Sequence, residues 1–344
     1  MQLPYLYHMI LVTGGTGMVG MHLLLALTRE EKLVSATYRS QDKVDAVKDF
    51  FAFAKAESQF SRIKWIQADI TDVPSLQEAF QGIKVVYHCA ALISFNPYDF
   101  SKLKKANIEG TANVVNLCLS HKVQKLCYLS SIATLAKTPN NPVTEENHWN
   151  PDAENSVYAI TKYGAEMEVW RGTQEGLPAV ILNPGVILGE GNYDTGSGTI
   201  FKRVHDGLNF YTAGGTGVID VKDVVNTMIA AMQKPILNER YIMVSYNITY
   251  KNLVQNIAQA LQVKPPQRKI PLLLLQAGRF LDMLTGWFTK NRKLTKVAVT
   301  SLQEISKFDN SHCLEDFRVD PVPLEDSLNR IAQHFLYLKG IKRT

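Results

Sequence analysis

Cysteine is scarce in this 344-residue chain, and the four present, Cys89, Cys118, Cys127 and Cys313, include no CxxC pair. A disulfide framework is not expected; free thiols in a reducing cytoplasm are. None of the eight histidines falls in an HxH or HExxH pattern, so no metal site has a local starting point. The 21 Gly and 14 Pro are not pooled in a low-complexity tract, and 46% hydrophobic with 20% charged residues excludes a disordered chain. There is no block of one charge sign. Lys and Arg are interspersed with Asp and Glu to a net charge of +5, so nucleic acid is not an expected partner. The first eight residues lack a basic n-region and run into an apparent strand, which argues against a secretory signal and leaves Met9 as a candidate start.

Long apolar runs are also few. Residues 10–28 carry no Lys, Arg, Asp or Glu, but Gly14, Gly15, Gly17 and Gly20 break the run into strand, turn and helix. Residues 270–288 are greasy with basic flanks, Arg268/Lys269 and Lys290/Arg292/Lys293, yet Arg279 and Asp282 interrupt them. No integral membrane span is expected. A helical lid over an apolar substrate cavity is the favoured reading of 270–288, and a surface that touches membrane is the other.

What is present is a rhythm. Short runs rich in β-branched or aromatic residues, 9–13, 33–38, 63–67, 84–88, 125–129 and 179–182, alternate with helical patterns at 19–28, 43–56, 73–81, 99–120 and 157–176. Without hairpin signals, that alternation predicts right-handed crossovers and an α/β fold with a parallel sheet covered on both faces. Near Pro184 the rhythm degrades into Gly-rich loops and short elements. The length agrees with about two domains, expected over 1–183 and, as a smaller lobe partly interleaved with the first, over 184–344.

Three local signals carry chemistry. Thr13-Gly-Gly-Thr-Gly-Met-Val-Gly20 lies between the first strand and first helix, where Gly14 permits a tight turn, Gly17 lets backbone approach a pyrophosphate and Gly20 lets the helix pack on the strand. The second strand ends in Ser35-Ala-Thr-Tyr-Arg-Ser40 with no carboxylate for a ribose 2′-hydroxyl. Arg39 with Lys43 suits a 2′-phosphate instead, so NADP is expected, with NAD as the alternative. Tyr158-Ala-Ile-Thr-Lys162 puts a phenol and an ammonium on one helix face, where the charge favours phenolate. Ser130-Ser131 closes another strand at the edge where ligands collect.

With these residues the chain resembles the extended short-chain dehydrogenase/reductase family over nearly its whole length. The family's TGxxGxxG corresponds to Thr13–Gly20, which brings Thr16, Met18 and Val19 to the cofactor. Its acidic residue beside the adenine matches Asp69, followed by Ile70, and its fourth-strand ending matches Cys89, Ala90 and Ala91. Its helix asparagine matches Asn107, its serine Ser131 and its YxxxK Tyr158 and Lys162. The resemblance implies a Rossmann-type doubly wound sheet, a nicotinamide cofactor flanked by Pro184, Gly185, Val186 and Ile187, and a homodimer paired through the outer faces of the helices at 99–120 and 157–176. Residues 183–189 and 217–225 look more like the dihydroflavonol reductase and 3β-hydroxysteroid dehydrogenase branch than like nucleotide-sugar epimerases. Asn183 stands where an arginine usually precedes the proline.

The implied chemistry is hydride exchange with a carbonyl carbon while Tyr158 donates a proton to the forming alkoxide. Lys162 lowers the tyrosine pKa and holds the nicotinamide ribose, Ser131 donates to the carbonyl oxygen, and Asn107 braces the helix or a relay water. Ser94, Phe95, Asn96, Tyr193 and Tyr211 are candidate contacts to a mainly apolar small-molecule substrate. His148 and His205 are expected at the surface. An NADP-dependent alcohol/ketone oxidoreductase is the leading expectation; a nucleotide-sugar epimerase or dehydratase, and a non-catalytic nicotinamide-sensing protein, are the alternatives.

Overall fold

The computed structural model describes residues 9–29, 33–137 and 141–341. The reading of the first eight residues lies outside them. Twelve strands run through the described chain: β1 (Ile10–Thr13), β2 (Val34–Tyr38), β3 (Ile63–Gln67), β4 (Val85–His88), β5 (Lys125–Leu129) and β6 (Ala179–Pro184), then β7 (Val186–Leu188), β8 (Phe210–Tyr211), β9 (Gly215–Asp220), β10 (Glu239–Met243), β11 (Tyr246–Thr249) and β12 (Arg268–Lys269). Seven form a wholly parallel sheet in the order β10-β6-β5-β4-β1-β2-β3. The chain leaves β1 toward β3 in one direction and returns to β4 on its other side. The crevice outside the carboxyl ends of β1 and β4 is therefore the switch point of a doubly wound fold.

Period-two alternation fills both sides of this sheet. Val12, Tyr87, Cys127, Val180 and Leu182 pack on one face with Leu23, Leu24, Phe51, Val224 and Met228. Their neighbours Leu11, Val86, Leu126, Tyr128 and Ile181 pack on the other with Leu76, Phe80, Val114 and Val169. Since both faces are covered, the strands are apolar almost throughout.

A second sheet, β11-β9-β7, and a separate core of Phe201, Leu253, Ile257, Leu328 and Phe335 build the smaller lobe. The two regions interleave. β10 returns to the edge of the large sheet beside β6, and helix Val221–Gln233 packs against the core on one face of that sheet.

One element departs from expectation. The helix expected over 99–120 is three pieces: Phe100–Leu103, a wide π turn at Lys104–Glu109, and Gly110–Ser120. The wide turn carries Asn107, which is buried. Single π turns inside helices recur at functional sites.

Candidate active site

A cleft of about 2760 Å³ runs along the carboxyl ends of the sheet strands into the smaller lobe. At one end lies the glycine turn. Gly14 has φ +72°, a left-handed conformation, and a Cβ there would lie 2.7 Å from the Ala90 backbone. Only glycine lets the ends of β1 and β4 meet so closely. A Cβ at Gly20 would drive into the Gly14 carbonyl, whereas one at Gly17 would meet nothing nearer than 3.4 Å. Gly17 precedes helix Met18–Thr28, whose first turn holds no acidic residue and whose N-cap makes no side-chain bond. Free N–H groups at that end suit an anion, so the turn fits a dinucleotide pyrophosphate.

Thr16, Met18 and Val19 line this end of the cleft together with Arg39, Lys43, Asp69, Ile70, Cys89, Ala90 and Ala91. Arg39 is well exposed and 3.8 Å from the Asp69 carboxylate. Asp69 also accepts from the backbone and hydroxyl of Thr71 at 2.8 and 2.9 Å. Thr13 is placed elsewhere than expected: its buried hydroxyl meets His88 Nδ1 at 2.6 Å, and His88 Nε2 meets Thr111 Oγ1 at 3.0 Å. Burial, and then the nearby Lys162 charge, pushes the His88 imidazole down to about 3. It is neutral and ties β1 to β4 from beneath.

Further along the cleft stand Ser130, Ser131, Tyr158 and Lys162, and Pro184, Gly185, Val186 and Ile187 line it too. Ser131 lies two residues past the end of β5 and its hydroxyl accepts from Ala133 N at 3.2 Å, capping a short turn at the cleft wall. Helix Val157–Gln174 is capped by Ser156, which accepts from Ala159 N at 3.1 Å. That cap fixes where the first turn, carrying Tyr158, begins. The Phe95 ring lies 5.4 Å from the Tyr158 ring.

The electrostatics differ from the expectation of a phenolate favoured by Lys162. The Lys162 Nζ donates to the Tyr128 hydroxyl at 2.7 Å and to the Leu129 carbonyl at 2.9 Å. Burial raises the Tyr158 pKa, and a hydrogen bond with Ser131 works against that rise. Burial also lowers Lys162 to about 7, against the pull of Glu166 and Cys89 in the opposite direction. The Tyr158 phenol is thus held protonated, as a proton donor requires.

Asn107 does not line the cleft. Its Oδ1 accepts from Leu92 N at 2.7 Å, and its Nδ2 donates to the Leu92 carbonyl at 3.0 Å and to Thr161 Oγ1 at 3.1 Å. It clamps the segment leaving β4 onto the helix that carries Tyr158. Among the candidate substrate residues, Phe95, Tyr193 and Tyr211 border the cleft and Ser94 and Asn96 do not. The Ser94 hydroxyl donates to Asp99 at 2.7 Å. Asn96 binds the Lys290 carbonyl and Arg292 N, at 3.0 and 3.1 Å. Although Tyr193 borders the cleft, its hydroxyl is held by the Ile331 carbonyl and His334, and its ring packs in the smaller lobe's core. His148 is exposed, while His205 is half-buried against the Phe335 ring.

The lid reading of 270–288 does not match its placement. Of that segment only Ile270 and Asp282 reach the cleft wall, and residues 294–302, which sequence reasoning passed over, contribute Leu294, Val297 and Ala298. Glu166 and Tyr128 were also missed. Fully buried Glu166 accepts from Ser130 at 2.5 Å, Thr134 at 2.9 Å and Asn183 at 2.9 Å. Asn183 Nδ2 lies 3.1 Å from the Ser131 carbonyl, so this network sits directly behind the serine pair. Its one legible sign was spacing: Tyr158, Lys162 and Glu166 recur every four residues on one face.

Comparison with known proteins agrees with this geometry. The model of the NAD dependent epimerase/dehydratase family matches residues 10–248. Sterol demethylase protein B of Methylococcus capsulatus is 28% identical over 270 residues, covering 77% of this chain and 78% of that protein. A putative dihydroflavonol 4-reductase of Synechocystis is 27% identical over 270 residues, covering 76% and 75%. Tetraketide alpha-pyrone reductase 2 of Arabidopsis thaliana is 30% identical over 250 residues, covering 67% and 76%. In fold, UDP-glucuronic acid 4-epimerase from Bacillus cereus, solved with UDP-glucuronic acid and NAD, superposes with TM-score 0.74 at 18% identity over 96% of this chain and 99% of that one.

Proposed function

The chain belongs to the NAD-dependent epimerase/dehydratase family and is an NAD(P)-dependent oxidoreductase, and we propose that it interconverts a ketone or aldehyde and an alcohol on a mainly apolar small molecule, with NADP as cofactor. The observation that carries the reading is the joining, in one cleft, of an uncapped glycine turn to Ser131, Tyr158 and Lys162. A bound nicotinamide supplies or accepts the hydride. The glycine turn would hold the pyrophosphate, Arg39 and Lys43 the 2′-phosphate, and Pro184 to Ile187 would flank the nicotinamide ring.

Around the reacting carbon this chain's own groups do the rest. Tyr158, kept protonated by burial, gives its proton to the forming alkoxide, and in oxidation accepts it back. Ser131 donates to the same oxygen and stabilises charge where it develops. Lys162, on the next turn of the helix and held by Tyr128 and the Leu129 carbonyl, serves the ribose hydroxyls. The wall beyond, with Leu92, Phe95, Ile132, Leu135 and Leu294, offers an apolar surface to a substrate. Reductases among the relatives support the substrate class. The outer faces of the Gly110–Ser120 and Val157–Gln174 helices, where Ile160 is exposed, suit pairing into a homodimer.

Tyr158→Phe tests the chemistry. The ring and its contact with Phe95 survive, so NADPH affinity should hold while turnover of an accepted ketone falls by roughly 100-fold or more. Undiminished turnover would place the proton donor elsewhere.

A further inference from the structure

Helix Leu272–Thr289 is built inside out. The side it turns to the protein carries Leu275, Gly278, Arg279, Asp282 and Gly286, small or charged residues apart from one leucine. Asp282 accepts from Lys293 N and Leu294 N at 2.9 and 3.1 Å, and a Cβ at Gly286 would collide with the Arg292 side chain. The side it turns to solvent is apolar: Leu273 and Phe288 are each 84% exposed, Trp287 75% and Leu281 61%. Ordinary surface helices show the reverse arrangement. A contiguous apolar patch of this kind marks a surface that something else covers.

The patch continues past the helix. Asn96 grips the Lys290 carbonyl and Arg292 N, and the Lys290 ammonium lies 5.5 Å over the Tyr98 ring, so the exposed Ile93, Phe95 and Tyr98 sit beside the helix end. Ile93 and Phe95 also border the active cleft. At the other end Ile270 N donates to the Tyr211 carbonyl at 2.9 Å and β12 pairs with β8. Anchored at both ends, the helix lies along the molecule, and no described helix is long and apolar enough to cross a membrane.

Charge selects the occupant. Between 264 and 296 stand eight Lys or Arg and a single acidic residue, the inward-turned Asp282, more positive charge than the net +5 of the whole chain. Arg268, Lys269, Lys290 and Lys293 are exposed around the apolar face. A second copy would bring the same basic rim against itself. An anionic lipid surface instead offers hydrocarbon to the leucines and aromatics and headgroup charge to the rim. We propose that helix Leu272–Thr289, with Ile93, Phe95 and Tyr98, docks this protein in the plane of an anionic lipid surface, with the mouth of the cleft beside it. The docking rests on surface chemistry alone and stands apart from the reductase reading.

Flotation with vesicles tests it, comparing phosphatidylcholine alone with phosphatidylcholine containing phosphatidylglycerol. The full chain should rise with the anionic vesicles, rise far less with neutral ones, and lose most of its binding at high salt. Leu273→Glu/Phe288→Glu alters only exposed side chains and should lower the bound fraction at least ten-fold with circular dichroism and NADPH affinity unchanged. Lys290→Glu/Lys293→Glu should lower binding to anionic vesicles alone. The proposal fails if the native chain stays unbound, if it binds both vesicles equally, or if the leucine/phenylalanine variant floats undiminished. It also fails if light scattering shows a native oligomer that this variant dissociates while neither form floats, since the face would then be a subunit contact.

Discussion

Tyr158 and Lys162 stand one helical turn apart, yet their partners differ: the phenol faces Ser131, while the ammonium is held by Tyr128 and the Leu129 carbonyl. Spacing brings two side chains to one face, and the surrounding acceptors decide where each polar end goes. Arg39 is the simplest residue to test. If Arg39 holds a 2′-phosphate as proposed, Arg39→Ala should weaken NADPH binding by about 1.5–3 kcal/mol and leave NADH nearly unchanged. Titrating both cofactors checks this, and equal losses would refute the NADP assignment. His88 makes a prediction about pH. Its proton is taken up near 6.5 in an unfolded chain but only near 3 in the native one, so its stabilisation is full above 6.5 and drains away as the pH falls toward 3. At pH 4.5 this one group destabilises the fold by about 2–3 kcal/mol relative to pH 7. In His88→Gln, urea midpoints measured at the two pH values should therefore lie closer together than in the native chain.

Among the elements, the π turn at Lys104–Glu109 has the clearest task. It carries Asn107, whose amide occupies both backbone groups of Leu92 and reaches Thr161 on the Tyr158 helix. Asn107→Ala strands the Leu92 N–H and carbonyl in a half-buried site, and about 1–3 kcal/mol is expected for each group left unpaired. Chemical denaturation should show the loss, and turnover should fall with it because the clamp sets the distance between the β4 exit and Tyr158. Sequence pattern predicted this stretch as one regular helix. Asn107 was legible as a site residue through its motif, but the widened turn was not, because a π turn follows from tertiary bonds to Leu92 and Thr161 rather than from local propensity.

For the whole molecule, the pairing proposed for the outer faces of helices Gly110–Ser120 and Val157–Gln174 predicts a homodimer. Light scattering over a wide concentration range should return twice the monomer mass, and Ile160→Asp on the outer face should shift it toward the monomer. That face is distinct from the apolar outside of Leu272–Thr289, so the dimer should persist in the Leu273→Glu/Phe288→Glu variant. The two surfaces can thus be tested separately.

Local pattern was enough for the parallel sheet, since strands buried on both faces must read as apolar runs, and β3 and β5 fall at the residues read from sequence. It was enough for the glycine turn as well: a left-handed Gly14 and a close Gly20 are demands of backbone geometry that a sequence states openly. Tertiary structure alone decided what depends on distant partners. Thr13 turned to His88 across β1 and β4, Asn96 was drawn to residues nearly two hundred positions away, and Glu166 became the buried acceptor behind the serine pair. Which way the greasy 272–289 helix faces was settled the same way, because inward-pointing Asp282 found the backbone N–H groups of Lys293 and Leu294, and satisfying that half-buried charge left the leucines and aromatics outside.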